Sequence, residues 1–149
     1  MEERLKKERI RLCERKCREM GIPFTVQRRA ILETILDLET HPTADQVHAV
    51  LSDHTPGISR TTVYRALETF ARMGVITKAC HPGSVVRYDP RIEIHHHLVC
   101  RLCDEVVDIS DAALDALPVP DTSRYGFEVH DFRVQLRGLC RGCRAKEET

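Results

Sequence analysis

The chain has 149 residues, 42% hydrophobic and 31% charged, with no formal net charge at neutral pH. That length accommodates one domain or two small ones, and a core shared between two is thin enough that a bound metal or partner subunit would assist it. No apolar run approaches the ~20 residues of a membrane-spanning helix, and the opening MEERLKKERIRL lacks a signal-like apolar stretch, so the expectation is a soluble, cytoplasmic protein. The neutral total conceals an asymmetry. Residues 1–88 carry 15 Lys and Arg against 11 Asp and Glu, whereas residues 89–149 carry 8 against 12. A basic half suits a polyanion and an acidic half suits cations. Seven cysteines without a secretion signal argue against a disulfide framework.

In chain order, residues 2–19 predict a charged helix with Leu5, Ile10, Cys13, Cys17 and Met20 along its seam, ended by Gly21 and Pro23. A second helix is expected from Thr25, its N-cap, to Leu38, with Ala30, Ile31, Thr34, Ile35 and Leu38 on the apolar face. A third starts near Thr43 with Val47, Val50 and Leu51 inward and is broken by Pro56 and Gly57. Ser59 caps a fourth, in which Val63, Ala66, Leu67 and Phe70 face the core and Gly74 marks the end. VITKAC and SVVRYD, separated by HPG, predict a hairpin with a tight turn. Helices followed by a hairpin give the winged-helix order, and Asp89–Pro90 is the expected hinge. The expected domains are 1–89, a winged-helix DNA-binding unit, and 90–149, a smaller unit rich in metal-ligating residues. In the latter, HHHLVC and EVVDIS predict strands joined at a CxxC turn, DAALDAL a short helix, PVPDTS a loop, and FEVHDFRVQLRGLC one long alternating strand through Phe127, Val129, Phe132, Val134 and Leu136. The fold class is α+β.

The first turns of the fourth helix present Arg60, Thr61, Thr62, Tyr64 and Arg65, side chains able to reach base edges or phosphates from a major groove. Arg28, Arg29 and Lys78 are candidate phosphate contacts. The same pattern also describes an amphipathic helix with a solvated face, and the hairpin and charge split favour the DNA-reading interpretation.

Cys100-x-x-Cys103 and Cys140-x-x-Cys143 are two thiol pairs, each at a strand end. Four thiolates make a closed tetrahedral shell suited to structural Zn(II) and leave no open position for catalysis. A redox CxxC is the alternative. A second set carries nitrogen and oxygen donors. His95 and His97 alternate on a strand and share a face, His96 points the opposite way, Asp89 lies at the hinge, Asp108 is on the neighbouring strand, and His41 precedes the third helix. Such donors suit Fe(II), Mn(II) or Zn(II), and a shared ion would fix the two domains in one orientation. Each residue also has an ordinary reading, His41 as a loop residue and Asp89 as a turn former before proline. No nucleophile–base constellation and no small-molecule substrate site is evident, so an enzyme is not expected.

The segments FTVQRRAIL, HPTADQVHAVL, SRTTVYRALETFARMGVI, RYD, HHHLVCRLCDEVVDIS and GLCRGC together resemble the ferric uptake regulator superfamily along essentially the whole chain. The resemblance implies a homodimeric winged-helix repressor with a C-terminal α/β dimerisation domain, structural zinc on the four paired cysteines, and Tyr64 reading thymines in an AT-rich palindromic operator. Arg28, Ser59, Arg60, Thr61, Thr62 and Arg65 complete the implied DNA-binding set. His41, Asp89, His95, His97 and Asp108 match the superfamily's peroxide-responsive branch; iron-sensing members usually carry Glu in place of Asp89 and Asp108. The implied mechanism is Fe(II)-dependent oxidation of His41 or His95 by hydrogen peroxide, followed by release of DNA, with the Mn(II) form resistant. The alternative is a repressor responding to iron or manganese supply. The chain departs from the pattern at Pro23, where an arginine is common, and at Ile94 and Phe132, where many members place histidines of a further metal site. That site is expected to be absent or rebuilt with His96 and His130. Cys13, Cys17 and Cys80 are outside the pattern; the first two are expected to be apolar packing residues.

Overall fold

The computed structural model describes residues 2–38, 40–79 and 85–147, which fall into two compact units, Met1–Ile92 and Glu93–Thr149. In the first, α1 (Glu3–Glu19), α2 (Val26–Leu38), α3 (Ala44–Ser52) and α4 (Arg60–Arg72) precede a two-stranded antiparallel sheet of β1 (Thr77–Ala79) and β2 (Arg87–Asp89). The expected tight turn, with Cys80 and His81, lies outside the described residues.

Local chemistry sets these helices. Thr25 Oγ1 accepts from the Arg28 N–H at 3.3 Å and starts α2. Thr43 forms a reciprocal capping box with Gln46 at α3, and Ser59 accepts from the Thr62 N–H at 3.1 Å at α4. Helices α1 and α4 end alike. Gly21 (φ 65°) and Gly74 (φ 66°) take the left-handed conformation. The next residue then reaches back, Ile22 N–H to Cys17 O at 2.8 Å and Val75 N–H to Phe70 O at 2.9 Å. This is the glycine-terminated stop that satisfies otherwise orphaned carbonyls.

The core gathers Ile10, Cys13 and Cys17 of α1, Ile31, Leu32, Ile35 and Leu36 of α2, Val47 and Leu51 of α3, Val63, Ala66, Leu67 and Phe70 of α4, then Val75, Ile76 and Tyr88. The apolar face of α2 is therefore rotated from the expected one: Leu32 and Leu36 are fully buried, whereas Ala30 and Leu38 are at its margin. Val50, expected inward, is exposed, because Val47 and Leu51 already fill the i, i+4 stripe of a nine-residue helix. Cys13 and Cys17 have no exposed surface, as expected of packing residues, and burial, reinforced by Cys17, pushes the Cys13 thiol up to about 12.

The first unit continues past the expected break at Asp89–Pro90. Asp89 ends β2, its carboxylate accepts from the Arg91 N–H at 2.8 Å, and Thr77 Oγ1 donates to Arg91 O at 3.2 Å. These bonds hold residues 90–92 against the hairpin.

The second unit is a three-stranded sheet in the order β4 (Val106–Ile109), β3 (His96–Cys100), β5 (Gln135–Gly138), with α5 (Ala112–Asp115) after β4 and α6 (Arg141–Glu147) at the end. Strands β3 and β4 are antiparallel, and β5 runs parallel to β3. The expected long strand is only its last part. Residues 127–134 are irregular, and Phe127 is 71% exposed. The sequence contains the reason: Phe127 and Val129 alternate in one phase, Phe132, Val134 and Leu136 in the other, so a single strand would turn the two groups to opposite faces. Helix α6 was not expected; its seven residues carry no apolar periodicity to announce it.

Candidate metal centres and nucleic-acid interface

In the second unit, one thiol pair lies where β3 turns toward β4 and the other where β5 enters α6. The β3–β4 turn places Asp104 at φ 55°, a conformation that aspartate tolerates. The parallel pairing of Cys100 with Gly138 then carries residues 140–143 alongside the first pair. One sulfur from each of Cys100, Cys103, Cys140 and Cys143 lies within 4.8 Å of every other, and Cys103 and Cys140 are 3.7 Å apart. A tetrahedral ion with zinc–sulfur bonds of usual length has edges of about 3.8 Å, so the donor set fits Zn(II). Electrostatics agree. The Cys140 N–H donates to Cys100 Sγ at 3.4 Å. That bond, with the Cys103 and Leu102 backbone donors, draws the Cys100 thiol down to about 6. Sharing hydrogen bonds with Cys103 and Cys140 pushes Cys143 up to about 12. Cys100 therefore ionises readily, whereas Cys143 is held as a thiol until a cation offsets its charge.

The same sheet presents a second donor group. His97 pairs with Asp108 across β3 and β4. His95 Nδ1 lies 2.7 Å from the Glu93 carbonyl oxygen, so it carries the proton and leaves Nε2 as a lone-pair donor. That Nε2 is 3.0 Å from His97 Nε2 and 3.4 Å from Asp108 Oδ1, and His97 Nε2 is 3.6 Å from the same oxygen. Two imidazoles and a carboxylate thus converge, and both histidines are buried. His96 faces the other way. Its Nδ1 accepts from the Val134 N–H at 3.0 Å, which requires Nε2 to donate to Asp115, 3.1 Å away. His96 therefore ties α5 and the approach to β5 onto the sheet. His130 is exposed beside Glu128. Among the described residues, neither joins a donor cluster, so of the two expectations, absent or rebuilt with His96 and His130, the rebuilt site is not formed.

In the first unit, His41 and Asp89 meet although they are 48 positions apart in the chain. The strand β2 arranges this. Tyr88 N–H donates to Pro42 O at 2.9 Å, Arg87 Nη1 donates to His41 O at 3.0 Å, and Thr43 bridges to Arg87. His41 Nε2 lies 3.6 Å from Asp89 Oδ2, and both residues are buried.

On α4, Thr61, Tyr64 and Arg65 are exposed, as is Arg60, which lies 3.6 Å from the Asp45 carboxylate. Ser59 and Thr62 serve the helix cap, their hydroxyls 2.8 Å apart. The other expected phosphate contacts are engaged locally: Arg28 donates to Pro23 O, Arg29 pairs with Glu33 at 3.6 Å, and Lys78 pairs with Glu68 at 2.8 Å. Glu68 was not singled out from the sequence. It also accepts from the Tyr88 hydroxyl at 2.7 Å, and Lys78, then Tyr88, holds its carboxyl below the ordinary value. No local signature could have revealed a pairing across 20 residues.

Comparison with known proteins adds a family. The ferric uptake regulator family model matches residues 19–137, which include Cys100 and Cys103 but not the second thiol pair. The peroxide-responsive repressor PerR of Staphylococcus aureus strain Mu50 is 33% identical over 129 residues, covering 87% of both chains. The Helicobacter pylori ferric uptake regulator superposes with a TM-score of 0.77 over 93% of both chains at 16% identity, a likeness of fold. The Francisella tularensis ferric uptake regulator, solved with iron, gives 0.71 at 25% identity over 83% of this chain and 96% of its own. The protein belongs to the ferric uptake regulator family and is a metal-responsive transcription regulator, not an enzyme.

Proposed function

We propose that this chain is a homodimeric DNA-binding repressor that requires a regulatory metal and is released from its operator by hydrogen peroxide. The convergence of His95 Nε2, His97 Nε2 and the Asp108 carboxylate carries this reading. Its closeness to a peroxide-responsive repressor supports the choice of signal. His41 and Asp89 complete the proposed regulatory set. Nitrogen and oxygen donors favour Fe(II) or Mn(II), and Cys100, Cys103, Cys140 and Cys143 hold structural Zn(II). Arg60, Thr61, Tyr64 and Arg65 read an AT-rich palindromic operator from the major groove, Ser59 and Thr62 fix the start of the reading helix, and Arg28 lies toward the backbone.

A homodimer is supported by the second unit's surface. Leu98 of β3 stands between Val107 of β4 and Leu136 of β5, all three are exposed, and they line a groove of about 480 Å³. An apolar stripe across a small sheet is a surface for a second copy. The reading places the protein in the cytoplasm with the DNA; no described helix is long and apolar enough to cross a membrane.

Bound Fe(II) supplies the redox chemistry that activates peroxide, which Mn(II) does not. The chain's own part is to hold the His41 and His95 imidazoles as targets: the O–O bond of hydrogen peroxide breaks, one oxygen is inserted into an imidazole C–H bond, and the other leaves as water. An oxidised imidazole no longer donates its lone pair as before, and the constraint on the reading helices is lost. The test compares operator binding by Fe(II)- and Mn(II)-loaded protein before and after dilute peroxide, with peptide mass spectrometry. Release of the iron form alone, with one oxygen gained on the His41 or His95 peptide, is expected. Asp108→Glu should retain metal-dependent binding and blunt the response. Retention of both forms with unmodified histidines would make the protein a sensor of iron or manganese supply, and oxidation confined to cysteines would move the switch to the thiols.

A further inference from the structure

We propose that Glu68 is a positioning residue that transmits the metal state of Asp89 to the DNA-reading helix through the hydroxyl of Tyr88. The inference rests on the regulatory site and DNA-reading face proposed above, and goes beyond them in naming the connection. Three consecutive residues of β2 carry it. Arg87 holds the His41 carbonyl at 3.0 Å, and Asp89 faces the His41 imidazole at 3.6 Å. Between them Tyr88 projects from the opposite face of the strand, as alternation requires, and has no exposed surface. Its hydroxyl donates to Glu68 at 2.7 Å. Glu68 stands on α4, one turn beyond Tyr64 and on the same helix as Arg60 and Arg65. A shift of β2 on ligation of Asp89 is therefore delivered to α4 through a short charge-assisted bond from a fully buried tyrosine to a half-buried carboxylate.

Glu68 also pairs with Lys78 of β1 at 2.8 Å, but that lysine is partly solvated, with 37% of its side chain exposed. An ion pair in that setting imposes little geometry. The Tyr88 bond is the connection, and the Lys78 pair is an accessory.

The experiment uses full-length, zinc-loaded protein, Mn(II) as the redox-silent metal, and a duplex selected from a random-sequence library by the wild-type Mn(II) form. DNA affinity is measured with and without Mn(II), and Mn(II) affinity is measured by calorimetry on free and DNA-bound protein. In Tyr88→Phe and Glu68→Ala the gain in DNA affinity on adding Mn(II) should fall on the order of tenfold. Mn(II) affinity of the free protein should stay within about twofold, while that of the DNA-bound protein falls by the factor lost from the DNA gain, as linkage demands. Glu68→Gln, which keeps an oxygen acceptor for Tyr88, and Lys78→Met should retain most of the gain. A purely structural role would lower thermal stability without moving the ratio of DNA affinities. The proposal is overturned if Tyr88→Phe and Glu68→Ala keep the wild-type gain, or if Glu68→Gln and Lys78→Met lose it equally. If wild-type protein shows no Mn(II)-dependent DNA binding, the regulatory reading itself fails, and this inference with it.

Discussion

The two units of this chain are stabilised by different means. Residues 1–92 enclose a continuous apolar core to which all four helices and the hairpin contribute, with Phe70 and Tyr88 among its largest fully buried side chains. Among the described residues of 93–149 the buried apolar ones are Val99 and Cys100, while Leu98, Val107, Leu117, Val119, Tyr125, Phe127 and Leu136 are exposed. There the sheet is fastened by the thiol cluster and by His96, which links Asp115 to the Val134 backbone. A small domain with so little interior cannot rely on hydrophobic burial alone and needs a metal or a partner. The first unit is organised by its own side chains, and the second, on the proposed reading, by what it binds.

Removing zinc should produce the largest effect. Structural zinc commonly contributes on the order of 10 kcal/mol to folding, so chelation, or Cys103→Ser, should unfold residues 93–149 and leave amide protection in the first unit. Hydrogen exchange checks this. Equal loss of protection in both units would break the comparison. A core truncation should act in the opposite sense: Phe70→Ala should cost about 3–5 kcal/mol in the first unit, read by urea denaturation, with zinc content unchanged. Zinc loss in that variant would mean that the second unit depends on the first.

The smallest effect sharpens the picture of polar fastening within the first unit. Lys78 and Tyr88 hold the Glu68 carboxyl below its ordinary value of 4.5. A depressed carboxyl pKa contributes stability that is present above the unfolded value and lost as pH falls through the folded one. Wild type should therefore exceed Glu68→Gln in unfolding midpoint above pH 4.5, and the two should converge at lower pH. The difference should be under about 1 kcal/mol, because the pair is partly solvated. Divergence on acidification would assign the stabilisation elsewhere.

Legibility in the sequence followed how local each determinant is. Caps at Thr25, Thr43 and Ser59 and stops at Gly21 and Gly74 depend on residues within one turn of each other, and the helices follow them closely. The paired cysteines and the His95–His97 alternation were visible for the same reason: fixed spacing puts two donors on one turn or one strand face. The buried faces of α2 and α3 were read only approximately, because several apolar residues compete for each and packing partners decide among them. The segment before β5 departs from the expected strand because the alternation changes phase between Val129 and Phe132.

Sequence alone set the donor types and the boundaries and order of the first four helices, since propensity, capping and side-chain chemistry act over a few residues. Only the tertiary structure decided that His41 meets Asp89, that four sulfurs from two distant turns come within one coordination shell, and that a glutamate on the reading helix accepts from Tyr88. These are contacts between residues tens of positions apart. Backbone pairing of β2 with the His41–Thr43 segment, parallel pairing of β5 with β3, and burial of Tyr88 against α4 create them, and none leaves a periodic trace in the chain.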